Sequence, residues 1–264
     1  MTGKQLFTRE SRFATPRWIT PEWPAPPNVR ALSTCRGGGA SRPPFASLNL
    51  GGHVEDNPLA VARNRRSLRE SAGLPNEPRW LAQVHGTQVV DLDTAEPAAL
   101  PTADAAISRQ PGVVCAILTA DCLPVLLTTE SGHCVGAAHA GWRGLSAGVI
   151  ESTITAMAVS PHEIMAWLGP AIGPAHFEVG PEVQAQFVFG DPGAATAFVA
   201  SDGGRFRADL YALARHRLTR IGVDRVFGGG ECTFRQANQY FSHRRDGRTG
   251  RQATLIWLES PKPR

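Results

Sequence analysis

Three short segments place chemistry-bearing side chains beside turns: Gln83-Val84-His85-Gly86, Thr119-Ala120-Asp121-Cys122 and Ala138-His139-Ala140-Gly141-Trp142-Arg143-Gly144. Each follows an apolar run that reads as a strand. Strand ends are where α/β folds gather ligands and catalytic groups, because the sheet fixes the side chain while the loop leaves room for a substrate. His85, Cys122 and His139 together suit zinc: two neutral imidazoles and a thiolate leave the fourth tetrahedral position open, the arrangement of a catalytic site. Such an ion lowers the pKa of a bound water to about 7 and supplies hydroxide at neutral pH. The spacing is not local, with 37 residues from His85 to Cys122 and 17 from Cys122 to His139. Taken singly, a histidine near a strand end is more often a surface or packed residue, and a free cysteine a buried hydrophobe. The same residues also permit a metal-free thiol hydrolase, with Cys122 as nucleophile and His85 or His139 as base.

The elements that must position these groups follow from apolar periodicity. Strands are predicted over 29–35, 80–84, 88–92, 113–119, 125–128, 134–138, 164–168 and 253–258, and helices over 58–73, 145–157, 182–189 and 210–221. Strands and helices interleave without a regular βαβ period, which favours an α/β domain built on a layered mixed sheet with flanking helices over a Rossmann fold or a TIM barrel. Residues 1–28, rich in Pro, Trp and Arg, read as an irregular arm, and 29–264 as a single domain, since no linker or internal repeat divides them.

Composition narrows the class. The 264 residues are 42% hydrophobic and 19% charged, which excludes disorder and a fibre and allows a sizeable core without disulfides. Five widely spaced cysteines with no C-x-x-C pair argue against a disulfide scaffold or zinc ribbon. The N-terminal residues carry charges and prolines with no apolar core like a signal peptide's, and no apolar window is long enough to span a membrane, so a soluble, cytoplasmic protein is expected. Only Lys4 and Lys262 are lysines; the other basic residues are arginines, a bias that fits a GC-rich genome. The net charge of +4 equals that of residues 242–264 alone, which hold six basic and two acidic side chains. A polyanion-binding surface, and hence a nucleic-acid partner, is therefore disfavoured.

The chain resembles the laccase-domain family, known variously as multicopper polyphenol oxidases, YfiH-like proteins, peptidoglycan editing factors and purine nucleoside phosphorylases. The resemblance rests on the three segments above together with Leu123-Pro124-Val125, Gly169-Pro170-Ala171-Ile172-Gly173, Phe241-Ser242-His243-Arg244-Arg245-Asp246-Gly247 and, earlier, Ser47-Leu48-Asn49-Leu50 with Asp56-Asn57-Pro58. It runs from about Thr34 to Ala253. It implies a single layered α/β domain, His85, Cys122 and His139 as metal ligands, and zinc-linked phosphorolysis of adenosine, inosine and methylthioadenosine, with adenosine deamination as a second activity. His176 and Phe177 stand where many members have cysteine and tyrosine, and His243 where tyrosine is common.

Phosphorolysis would require a clamp for phosphate, and arginine is the natural one. Arg143, in a Gly-flanked turn leading into a helix, is the first candidate, since helix-end amides assist anion binding. Arg36, beside three glycines, is the second, and Arg244 and Arg245 are further ones; Asn49 could bond a ribose or base edge. Asp121 is the candidate proton shuttle for deamination, or else a partner that orients His85 or His139. The H-x-E and P-C-x-x-C patterns of familiar nucleobase deaminases are absent. Polyphenol oxidation fits poorly, because eight histidines with no H-x-H pair cannot supply several copper centres, although copper could occupy the zinc site in vitro. Purine nucleoside and phosphate are the expected partners, with no obligate protein partner; the peptidoglycan label makes a Cys122-dependent or metal-dependent editing hydrolase the alternative. Cys115, Cys134 and Cys232 read as core, Asp104 as a capping or orienting residue, and His53 has no supporting context.

Overall fold

The computed structural model describes residues 15–96 and 100–260. Two sheets face each other. The first has the order β1 (Trp18–Ile19), β2 (Val29–Thr34), β13 (Gln252–Leu258) and β5 (Val114–Thr119), all antiparallel. The second has six strands, β12 (Arg225–Gly228), β8 (Ile164–Leu168), β6 (Leu123–Thr129), β7 (Val135–Ala140), β4 (Ala105–Ser108) and β3 (Val89–Asp91). It is mixed: β12 with β8 and β3 with β4 are parallel, the rest antiparallel. A small third sheet joins β10 (Phe198–Ser201), β11 (Arg205–Ala208) and β9 (Glu178–Val179).

The two-residue period of the strands builds the layers. In β5, Cys115 and Ile117 point between the two large sheets, where they meet Leu126 of β6, Val135 and Ala137 of β7 and Trp167 of β8. The intervening Val114, Ala116 and Leu118 point the other way, onto Leu48, Leu50 and Leu68. Leu68 belongs to helix α1 (Pro58–Ala72), which Asn57 caps by accepting from the Leu59 N–H and which Gly73 ends in a left-handed turn. On the far face of the six-stranded sheet, Val125, Leu127 and Ala138 pack on α3 (Val149–Met157), α4 (Pro181–Val188) and α5 (Leu210–Arg220). The result is a layered α/β fold in which the central strands are buried on both faces, which is why their sequences are continuous apolar runs. No helix among the described residues is long and apolar enough to cross a membrane.

Several expectations change. The helix expected over 145–157 is two: α2 (Trp142–Ala147) ends where Gly148 turns to φ +102°, and α3 begins there. Residues 80–84 form no strand, because the Gln83 side-chain amide takes both backbone groups of Leu118 and replaces a ladder with one side chain. The arm is less irregular than its composition suggests: Trp18 and Ile19 pair with Thr34 and Ser33 of β2, while residues 1–14 lie outside the described part. Strand β4 and the small third sheet carry no long apolar alternation and escape a periodicity reading.

Candidate metal centre

Three backbone devices bring the sulfur and the two imidazoles together. Cys122 sits in the tight β5–β6 connection beside Asp121, whose φ is +92°. Asp121 is held there by the Thr233 hydroxyl on Oδ1 (2.6 Å) and the Arg244 N–H on Oδ2 (2.6 Å), while its carbonyl accepts from the Ile172 N–H. His139 lies within β7, opposite Pro124 of β6, rather than after the strand. His85 sits on a loop at φ +62°. Their donor atoms all lie within 4.8 Å of one another, with Cys122 Sγ 3.9 Å from His85 Nε2.

A fourth residue organises the group. Asp104 is fully buried just before β4, and the antiparallel β4–β7 register, with Ala105 opposite Ala138, sets it against His139. Its Oδ1 accepts from His139 Nδ1 at 2.8 Å and from the His85 N–H at 2.9 Å, and its Oδ2 accepts from the Val84 and Gly86 N–H groups at 3.1 and 2.7 Å. The contact with Asp104 leaves His139 Nε2 for the metal, the arrangement usual for metal-binding histidines. Gly141 closes the floor: a methyl group there would come within 2.9 Å of Cys122 Sγ and 3.2 Å of His85 Cδ2. His139 is buried, Cys122 half-buried and His85 exposed, so the group opens on the His85 side.

The electrostatics suit a metal. Burial alone would raise the Cys122 thiol, but the adjacent His139 and His85 bring it down to about 6. Burial would lower His139, yet the Cys122 sulfur and the Asp104 carboxylate raise it to about 9. Asp104 itself, despite its burial, is held below the usual carboxylate range by His139 and the Gly86 and Val84 N–H groups.

Of the residues expected from sequence, His85, Cys122 and His139 converge, and most of the others are engaged elsewhere. The Asp121 carboxylate is hydrogen-bonded to Thr233 and the Arg244 N–H, whereas Asp104 is the carboxylate bonded to the His139 ring. Arg36 donates to the Ala46 and Ala237 carbonyls and lies over the Phe241 ring, so it ties loops together. Arg245 donates to the carbonyls of Thr233, Phe234 and Tyr240 and to Asp246. Arg244 reaches the Glu178 carbonyl and the Phe177 ring. Asn49 is fully buried, and its Oδ1 accepts from the Gly51 and Arg251 N–H groups, a backbone role rather than a ribose contact. Arg143 is exposed on the first turn of α2 with its guanidinium over Trp142, but α2 has only six residues, too short to add much of a helix-end field.

Two residues near the group were missed. Arg251 is close enough to Cys122 and Asp121 for their charges to act on it, although burial is the larger influence and lowers its pKa. Its Nη1 donates to the Thr249 and Gly250 carbonyls, and no carboxylate pairs with it among the described residues. His53, exposed on the turn shortly before α1, is lowered by desolvation and by the charges of Arg251, Arg65 and His139. No motif marks either one; both reach the site only through the loop that Asn49 pins to Arg251.

Comparison with known proteins shows the family. The profile of the family described as multi-copper polyphenol oxidoreductase laccase matches residues 30–259. The chain belongs to this family. It is 52% identical over 240 residues to the purine nucleoside phosphorylase YfiH of Escherichia coli K12, covering 91% of this chain and 98% of the relative. To a purine nucleoside phosphorylase of Pseudomonas aeruginosa it is 54% identical over 243 residues, covering 92% and 98%. The crystal structure of a Neisseria meningitidis protein superposes with a TM-score of 0.89 at 51% identity, over 92% of this chain and 99% of that one. YlmD of Geobacillus stearothermophilus gives 0.87 at 30% identity, over 97% and 100%. The family therefore supplies the layered α/β domain seen here. Among the described residues the His85–Cys122–His139 group is the one cluster of three such donors, and its two nitrogens and one sulfur fit zinc or copper.

Proposed function

We propose that this protein is a zinc-dependent purine nucleoside phosphorylase, acting on adenosine, inosine and methylthioadenosine with phosphate, and that adenosine deamination accompanies this activity. The observation that carries it is the three-donor group, set on the buried Asp104 and open on one side, beside Arg251, which has no carboxylate partner among the described residues. The relatives' names point the same way. His85, Cys122 and His139 would hold the ion, which when bound would act as a Lewis acid on the substrate.

The chain's own residues account for the rest. Phosphorolysis breaks the N-glycosidic bond as phosphate attacks C1′, through a transition state with cationic sugar character. Arg251 neutralises the phosphate and orients it, since a guanidinium can meet two phosphate oxygens at once. Arg143, exposed over Trp142 and also free of any ion pair among the described residues, is the second candidate cation. His53, with its lowered pKa, is neutral at pH 7 and offers a hydrogen-bonding nitrogen rather than a charge. Exposed Val84 beside His85 gives a purine face an apolar surface. Asp121, tied to Thr233 and Arg244, is not available to move a proton in deamination.

A second reading, a Cys122-dependent hydrolase of peptidoglycan precursors, is favoured by one observation: the low thiol pKa beside His139, itself held by Asp104, reproduces the order nucleophile, base, orienting carboxylate. Metal analysis separates the two. Stoichiometric zinc, lost in Cys122→Ala, supports the metalloenzyme, whereas full activity in metal-stripped protein supports the thiol hydrolase.

A further inference from the structure

A second thiol stands beside an imidazole on the other side of Asp121. Cys232 Sγ lies 3.7 Å from His176 Nδ1, and the Gly173 N–H donates to the same sulfur at 3.3 Å. The His176 ring is fixed by stacking on Phe234 at 4.5 Å between centroids. Cys232 and His176 line a cavity of about 490 Å³ together with Arg215, Arg235, Asp209 and Glu231. Asp209 caps α5 and Glu231 accepts from Gln236, whereas Arg235 is exposed with no carboxylate partner among the described residues. An imidazole that can take the thiol proton and an N–H that can stabilise the thiolate are what a nucleophilic cysteine needs.

Cys232 is itself buried, and what sets it apart is the imidazole, the N–H and the cavity at its sulfur. Cys115 is fully buried in β5, and burial raises its thiol steeply. Cys134 is buried beside β7 and pushed up to about 11, and Cys35 is raised by burial and by Glu231. Cys122 is committed to the metal group. We propose that Cys232 is a covalent modification site that exchanges with small anionic disulfides, with His176 taking its proton and Arg235 attracting the carboxylates of the reagent. The Cys232 sulfur attacks one sulfur of R–S–S–R; a protein–S–S–R bond forms, the reagent's S–S bond breaks, and the departing R–S⁻ takes up the proton held on His176. Cys232 is oxidised to the mixed disulfide and half of the reagent is reduced, so electrons balance.

The site is wired to the metal centre. Cys232 bridges to Ala171, and the next residue, Thr233, donates to Asp121, which immediately precedes Cys122. An adduct in the cavity strains the segment that places the metal-binding sulfur, and activity falls.

The test uses full-length protein loaded with zinc and incubated with oxidised glutathione, followed by intact mass and peptide mapping. One glutathionyl adduct on Cys232 is expected, and none in Cys232→Ser. His176→Ala slows adduct formation about tenfold with unchanged zinc content. Arg235→Ala slows reaction with oxidised glutathione but not with the neutral 2-hydroxyethyl disulfide. Far-ultraviolet circular dichroism establishes that each variant is folded, and His176→Asn replaces His176→Ala should the latter misfold. No adduct, an adduct on another cysteine, or equal rates for wild type and the folded His176 variant would overturn the proposal.

Discussion

The Asp104 carboxylate bonds the His139 ring at 2.8 Å and, through the N–H of His85, fixes the loop of the second imidazole as well. One buried acid thus ties down two of the three side chains of the candidate metal group. Asp104→Asn is expected to weaken zinc binding 10- to 100-fold, the usual cost of losing such a partner, as measured by competition with a chelator. Because the folded carboxyl is held below its ordinary value, its stabilising contribution is complete above the unfolded pKa and is lost as pH falls through the folded one. The stability gap between variant and wild type therefore narrows below about pH 4.

Metal uptake should release protons. Between about pH 6 and 9 the metal-free site holds the Cys122 thiolate beside the His139 imidazolium, so binding expels the His139 proton; below about 6 the Cys122 proton leaves too. Zinc affinity accordingly rises with pH, close to tenfold per unit across that window. Titration calorimetry in buffers of different ionisation enthalpy counts the protons; an affinity flat from pH 6 to 9 would contradict the assignment.

Gly141→Ala places a methyl 2.9 Å from Cys122 Sγ and should lower zinc affinity at least about tenfold. Gly37→Ala, where nothing lies within 4 Å of the added carbon, is the matched control and should bind zinc as wild type. Equal zinc content in both variants would mean that the site yields where the packing says it cannot.

Arg251 and Arg245 both donate to backbone carbonyls, but only Arg245 has a carboxylate partner among the described residues. Arg251→Gln should raise the KM for phosphate about tenfold or more while zinc content stays unchanged. Arg245→Ala instead removes a guanidinium shared by three carbonyls and Asp246, and should destabilise the fold by about 3 kcal/mol, read as a lower Tm. A wild-type phosphate KM in Arg251→Gln would remove that residue from the proposed anion site.

The three clustered donors, His85, Cys122 and His139, were legible because each lies in a short motif beside a strong apolar strand. Asp104 was legible only as a capping or orienting residue, without its partner, since only the β4–β7 register, between segments 35 residues apart in sequence, brings it to His139; sequence proximity favoured Asp121 as the partner, which instead holds the β5–β6 turn. The same blindness applies to arginine: Arg36 and Arg245 look like anion clamps in a Gly-rich or basic stretch, yet their guanidinium groups serve backbone carbonyls that the irregular loops leave unpaired. Gly148 shows the reverse case, a residue visible in the sequence whose helix-breaking effect depended on a positive φ that periodicity does not report.

Incubation of the zinc-loaded protein with adenosine, with and without phosphate, tests the central claim most directly. Separation of the products should show adenine and ribose 1-phosphate only when phosphate is present, with a smaller yield of inosine in either case. Neither product from adenosine, inosine or methylthioadenosine, at full zinc occupancy, would contradict the account.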